Sequence, residues 1–168
     1  ADGGFLFAMC SATDTLDVAL AGASVDLVVA PVDGTTVPPD AQSRLDFTAT
    51  LAFEGFQLEP NPMAPEVADI DVSPGPRSII SEGETFELFE FSARQDQIPT
   101  MLTQCHVGQV ADFLGQTTSF RRSALKDSMV VLGDFPEQDR VKYIHGGFVE
   151  GTFTYLAGHD PEDYAHII

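Results

Sequence analysis

The chain has 168 residues, 43% of them apolar, with 26 Asp and Glu against 8 Lys and Arg, for a net charge of −18. That balance speaks against direct binding to nucleic acid or to an anionic membrane, because phosphate contact needs a basic footprint. No apolar run approaches the roughly 18–20 residues of a membrane-spanning helix, and the composition fits neither disorder, collagen nor a disulfide-dense scaffold. The length predicts one domain over 1–168.

Ala1 at the start is expected to follow removal of an initiator Met or a longer leader. Phe5 to Cys10 is a short apolar run of strand length. Leu16, Val18 and Leu20 alternate and predict a second half-buried strand. Val25 to Val32 is β-branched, predicts a third, and stops at the Asp33-Gly34 turn signal. Residues 33–44 hold Pro38-Pro39, which cannot donate ladder hydrogen bonds, and predict a long loop. Leu45 to Phe53 carries the clearest period of two: Leu45, Phe47, Ala49, Leu51 and Phe53 on one side, Asp46, Thr48, Thr50 and Ala52 on the other. Residues 59–77 are Pro-rich and predict a second extended loop, with a short strand at Ala68, Ile70 and Val72 inside it.

Thr85 to Phe91 has large apolar residues on both faces and predicts a strand covered on both sides. Over residues 98–114 the period changes: Ile98, Met101, Leu102 and Cys105 follow helical spacing, with Pro99 in the first turn and Gly115 past the end. This predicts the main helix. Strands are then predicted within Ser123 to Leu132, Arg140 to His145 and Phe148 to Leu156, the last two joined by a Gly146-Gly147 hairpin turn. Asp160-Pro161-Glu162-Asp163 opens a short terminal helix. The whole pattern predicts a mainly β fold, an antiparallel sandwich or barrel with one flanking helix and long Pro-rich loops.

Chemistry-bearing motifs are sparse. There is no G-x-S-x-G elbow, no P-loop and no G-x-G-x-x-G cradle, so no cofactor is expected. Asp69 and Asp71, with Asp33 and Asp40 nearby, are oxygen donors of the kind Ca²⁺ takes. His159, Asp160, Asp163 and His166 are acceptable ligands for a first-row metal. Ordinary solvated or capping roles explain both groups more simply. His106 follows Cys105 on the predicted helix, where adjacent side chains diverge, so the two do not form a nucleophile–base pair. Cys10 and Cys105 are compatible with one long-range disulfide or with two thiols.

The charge is uneven. Residues 1–90 hold 16 of the acids and only Arg44 and Arg77 as bases, whereas Arg121, Arg122 and Lys126 cluster in the second half. Basic cluster and acidic half would complement each other between copies, a head-to-tail contact. Phe5 and Phe7 near one end and Ile167-Ile168 at the other are apolar and suited to strand or tail exchange. The expected function is therefore a non-enzymatic assembly subunit of a filament, a virus particle or a surface layer. It would be a homo-oligomer, or join other structural proteins, in a virion or at a cell surface. The alternatives are a secreted or surface binding module, with or without Ca²⁺, and a hydrolase with dispersed carboxylates.

Overall fold

The computed structural model describes residues 3–59, 61, 64, 67–72, 85–88, 109–111, 118–135 and 138–158. Strand β1 (Gly4–Met9) leads through Cys10 into helix α1 (Ser11–Ala21), followed by a one-turn helix α2 (Ala30–Asp33) and a 3-10 turn at Ala41–Arg44. The remaining strands are β2 (Thr85–Leu88), β3 (Gln109–Ala111), β4 (Phe120–Arg121), β5 (Val130–Asp134), β6 (Arg140–Phe148) and β7 (Gly151–Leu156), with a 3-10 turn at Arg122–Ala124. They form one seven-stranded sheet in the order β1-β7-β6-β5-β2-β3, with β4 beside β6. β1 and β7 run parallel, and the other pairs are antiparallel. The fold is mostly β, and the sheet is open, with β1 and β3 at its two ends among the described residues.

Register assigns the faces. Ala8, Tyr155 and Ile144 stand side by side on one face, because side chains alternate along a strand. They join Phe153, Val18 and Ala21 of α1, and Phe53, Phe56, Ile70 and Phe120 in the main core. Phe53 lies at its centre, 5.0 Å from the Phe120 ring and 6.1 Å from that of Tyr155. Each such aromatic, fully buried, contributes roughly 1.5–3 kcal/mol. Met9, Leu156 and Tyr143 share the opposite face and pack with Phe7, Phe86 and Phe135 in a smaller cluster.

Several local expectations are overturned. Leu16, Val18 and Leu20 lie in α1, not in a strand. The buried stripe of that helix is Thr13, Asp14, Asp17, Val18 and Ala21, a helical spacing written largely in polar residues. Three alanines in this segment favour helix. Val25 to Val32 is irregular until α2, where Pro31 occupies the first turn. Leu45 to Phe53 is not a strand either. Asp46 accepts the Thr48 N–H at 2.9 Å and folds the chain into a turn, and the N–H groups of 51–53 go to Asp17 instead of a neighbouring strand. Only Phe53 makes a bridge, to Leu125. Around 68–72 the bridges are likewise single, at Ala68 and Asp71.

The expected helix at 98–114 contains β3: Val110 pairs with Phe86 of β2, so sheet hydrogen bonding overrides the helical spacing at Gln109–Ala111. The rest of that range lies outside the described residues. The flanking helix that the structure does show is α1. The hairpin turn is also displaced. β6 runs straight through Gly146-Gly147 and turns at Val149-Glu150. A Cβ on Gly146 would meet Met129 Cε at 2.5 Å and Phe153 Cζ at 2.7 Å. That glycine makes room for two core side chains. Phe5 to Cys10, Thr85 to Phe91 and Phe148 to Leu156 do contribute strands.

Candidate interaction surface

Among the described strands β1 lies at one end of the sheet, and its sequence Gly-Phe-Leu-Phe-Ala-Met holds no charge. Its ladder with β7 runs from Gly4 opposite Gly151 to Met9 opposite Leu156. Next along the chain, the Cys10 N–H donates to the Leu156 carbonyl at 3.0 Å. By the alternation of a parallel ladder, even-numbered residues then face β7, and Phe5, Phe7 and Met9 send their N–H and C=O outward. Phe5 is 66% exposed.

The β6–β7 turn lies beside the start of β1. There Phe148 and Val149 are exposed, together with Leu6. A shallow cavity of about 270 Å³ lies among Leu6, Leu51, Phe148 and Phe153. Val149 has φ 56°, a left-handed conformation that a β-branched residue adopts only under strain. The residues that line the cavity include no Lys, Arg, Asp or Glu, and the exposed Glu150 of the turn stands at its margin next to Val149.

A second apolar feature lies under the 26–42 segment. A groove of about 680 Å³ is walled by Val28, Val29, Val32, Val37, Leu58 and Val67, among others. Its amides are already committed: Gln42 donates to the Phe56 carbonyl at 2.9 Å and accepts the Leu58 N–H at 2.7 Å.

The basic cluster is engaged within the chain. Arg121 pairs with Asp69 at 3.0 Å, Arg122 with Asp134, and Lys126 Nζ donates to the Thr50 carbonyl. The other described bases behave alike. Arg44 pairs with Asp40. Arg140 donates to Gln138 and Ser119 while its guanidinium stacks 4.1 Å from the Phe135 ring. Lys142 is fully buried and donates to the Thr118 carbonyl at 2.7 Å. Sequence alone does not show the last two. An R-V-K alternation on a strand reads as a wet face until Phe86 and Phe135 are known to cover it.

The Asp pair of the sequence is placed apart from any cluster. Asp69 also accepts the Gln57 N–H at 2.6 Å, and Asp71 accepts the backbone N–H groups of Thr118 and Ser119. Asp33 accepts from Thr35. Among the described residues no group of three or more His, Cys, Asp or Glu is placed to hold a metal. His106, His159, Asp160, Asp163, His166, Ile167 and Ile168 lie outside the described residues, as does Cys105, the expected partner of Cys10. Among the described residues no helix is long and apolar enough to cross a membrane.

Asp17 forms a buried polar centre. The Asp17 carboxylate, fully buried, accepts N–H groups from Leu51 at 2.6 Å, Ala52 at 2.8 Å and Phe53 at 3.0 Å. Burial raises its pKa above the usual 3.8, against the pull of those three donors and of Lys126. Tyr155 Oη is buried nearby without a hydrogen-bond partner. Its pKa is raised by burial and then by the charge of Asp17. This arrangement pins residues 51–53 to α1 and is closed to solvent, so it serves the fold.

Comparison with family models, with curated proteins and with solved structures finds no match to this chain.

Proposed function

We propose that this chain is a non-enzymatic structural subunit that works by self-association, as a building block of a filament, virus particle or surface layer. The carrying observation is the uncharged end strand β1 with its exposed Phe5, beside the apolar corner of Leu6, Phe148 and Val149. Natural sheets protect exposed edges with charge, proline or a covering element. β1 carries neither charge nor proline along Gly4–Met9. Exposed apolar patches rimmed by polar surface mark contact sites.

The charge distribution supports the same reading. The described Lys and Arg spend donors inside the chain, while the whole chain holds 26 acids. Two such copies repel over most of their surface and approach at lowest cost where acids are missing. The test is the native mass, read by light scattering across a wide range of protein concentration. Growth above the 18.1 kDa of one chain supports the reading, and a constant single-chain mass removes it.

A binding module is the second reading, and the valine-lined groove favours it. In that case the sheet would form one layer of a sandwich. A saturable small-ligand signal at Val32 and Val37, in a chain that stays single at every concentration, would select it.

A further inference from the structure

We propose that the valine-lined groove under the 26–42 segment binds a basic amphipathic helix of a partner protein, with its aliphatic stripe in the groove and its Lys or Arg on the acidic flanks. This goes beyond the self-association reading and does not rest on it. The groove measures about 680 Å³. Of its wall residues, Val28 and Val67 are exposed and Val32 is 75% exposed. Apolar surface grouped in this way marks a contact site.

The hydrogen bonding of the walls selects a helix over an extended strand. The Val28 N–H donates to Asp26 Oδ1 at 3.0 Å, and the Val32 N–H to the Val29 carbonyl at 2.9 Å. The Glu59 N–H donates to the Val67 carbonyl at 3.0 Å, and the Asn61 N–H to Glu59 Oε1 at 2.8 Å. These donors are committed within the chain, so an extended segment lying here would find no partners for its own backbone. A helix pairs its N–H and C=O groups internally and offers the groove only side chains.

Charge decides what that helix carries. Among the described residues no Lys or Arg lines the groove, and Glu59 is part of its wall. Asp26 and Asp33 flank the wall residues Leu27 and Val32 in the chain. Thr35 Oγ1 lies 2.7 Å from Asp26 Oδ2 and 2.9 Å from Asp33 Oδ2. One hydroxyl hydrogen serves one carboxylate at a time, so two negative groups are held close together beside the groove. Thr35 and the Val28 N–H also keep Asp26 below the usual carboxylate pKa. Arg44, just past this segment, is engaged by Asp40 and the Ser24 carbonyl. A positive partner is therefore attracted to both flanks, and an acidic one is repelled. Helix α1 of a second copy carries Asp14 and Asp17 and no base, so it is not the occupant.

The test is titration of the full chain with a synthetic peptide of about 15 residues, long enough to form a helix, with Leu at helical spacing on one face and Lys elsewhere. Valine methyl NMR shifts locate the binding, and native mass is measured in the same samples. Shifts at Val28, Val32, Val37 and Val67 should saturate, and the Kd should rise as salt is added. Val32→Ser, at an exposed position, should weaken binding about tenfold. Glu59→Gln and Asp33→Asn keep an acceptor oxygen and should each weaken it about two- to fivefold. No saturable shift at these valines would overturn the proposal, as would equal binding of the same stripe with Glu in place of Lys, or of a scrambled peptide of the same composition. A neutral alkanol that saturates the valines where the Lys peptide does not would also overturn it, in favour of a small-ligand site. The native mass reports self-association separately from the methyl shifts, so failure of either reading is told apart from failure of the other.

Discussion

Asp17 Oδ2 accepts the N–H of Ala52 at 2.8 Å, joining a helix residue to a loop 35 positions later. With the bonds to Leu51 and Phe53 it gathers three donors on one buried carboxylate. Removing it leaves those donors without partners, at about 1–3 kcal/mol each where burial is complete. Relief of the carboxylate's own desolvation offsets part of that. Asp17→Ala is expected to cost about 2–4 kcal/mol, and Asp17→Asn less, since its carbonyl oxygen still accepts. Urea denaturation of the two variants checks the order; equal stability of all three chains would contradict it.

The same residue sets a pH dependence. Its folded pKa lies above 3.8, chiefly through burial. Between those two values the folded chain binds more protons than the unfolded chain, so stability falls as pH rises. The contribution is fully present below pH 3.8 and is lost as pH rises through the raised folded value. Wild-type stability minus that of Asp17→Asn should therefore decrease on going from pH 3.8 upward. A difference that grows over that window would mean that the three donors outweigh burial.

Tyr155 presents a buried hydroxyl without a partner, and an unmade hydrogen bond in the interior is a cost in the wild type. Tyr155→Phe removes that cost and keeps the ring contacts with Phe53 and Phe153. The substitution should be neutral or stabilising, by up to about 1 kcal/mol. A clear loss in thermal midpoint would show that the hydroxyl is satisfied. The Tyr155 share of phenolate absorbance, read as the difference from Tyr155→Phe and suppressed by burial and then by Asp17, should appear only when the chain unfolds.

Val149 turns the β6–β7 hairpin at φ 56° while 72% exposed. A left-handed backbone costs a residue with a Cβ roughly 1–2 kcal/mol, and Asn tolerates it better. Val149→Asn is therefore expected to stabilise by about 0.5–1 kcal/mol. No gain in a chemical-denaturation midpoint would count against the strain.

β1 is legible in the sequence because Phe5 to Cys10 is an apolar run of strand length, and the strand ends at Met9, one residue inside that run. Helix α1 is hidden because its inward stripe is Thr13, Asp14 and Asp17, read as polar surface by any hydropathy pattern. The 45–53 segment alternates like a strand but finds no strand to pair with over its length. Its donors are claimed by Asp17, far back in the chain, and spacing within a segment cannot report that. Gly146 reads as a turn because a dipeptide rule does not see Met129 and Phe153 above it. Phe5 and Phe7 stand out in the sequence as apolar near the start of the chain, and the structure places both on β1, Phe5 exposed and Phe7 packed against the smaller cluster. The engagement of Arg121, Arg122 and Lys126 was not, since their partners Asp69, Asp134 and Thr50 come from three other places in the sequence.

Salt separates the apolar edge from the acid–base docking that the sequence also suggested. Screening weakens contacts between opposite charges and relieves repulsion between like ones, the Debye length falling from ~30 Å at 0.01 M to ~3 Å at 1 M. The decisive measurement is the dissociation constant of the self-complex by analytical ultracentrifugation across that range. Meeting at an uncharged strand predicts tighter association as salt rises; a complex that loosens with salt, or a chain that never leaves its solitary mass, would contradict it.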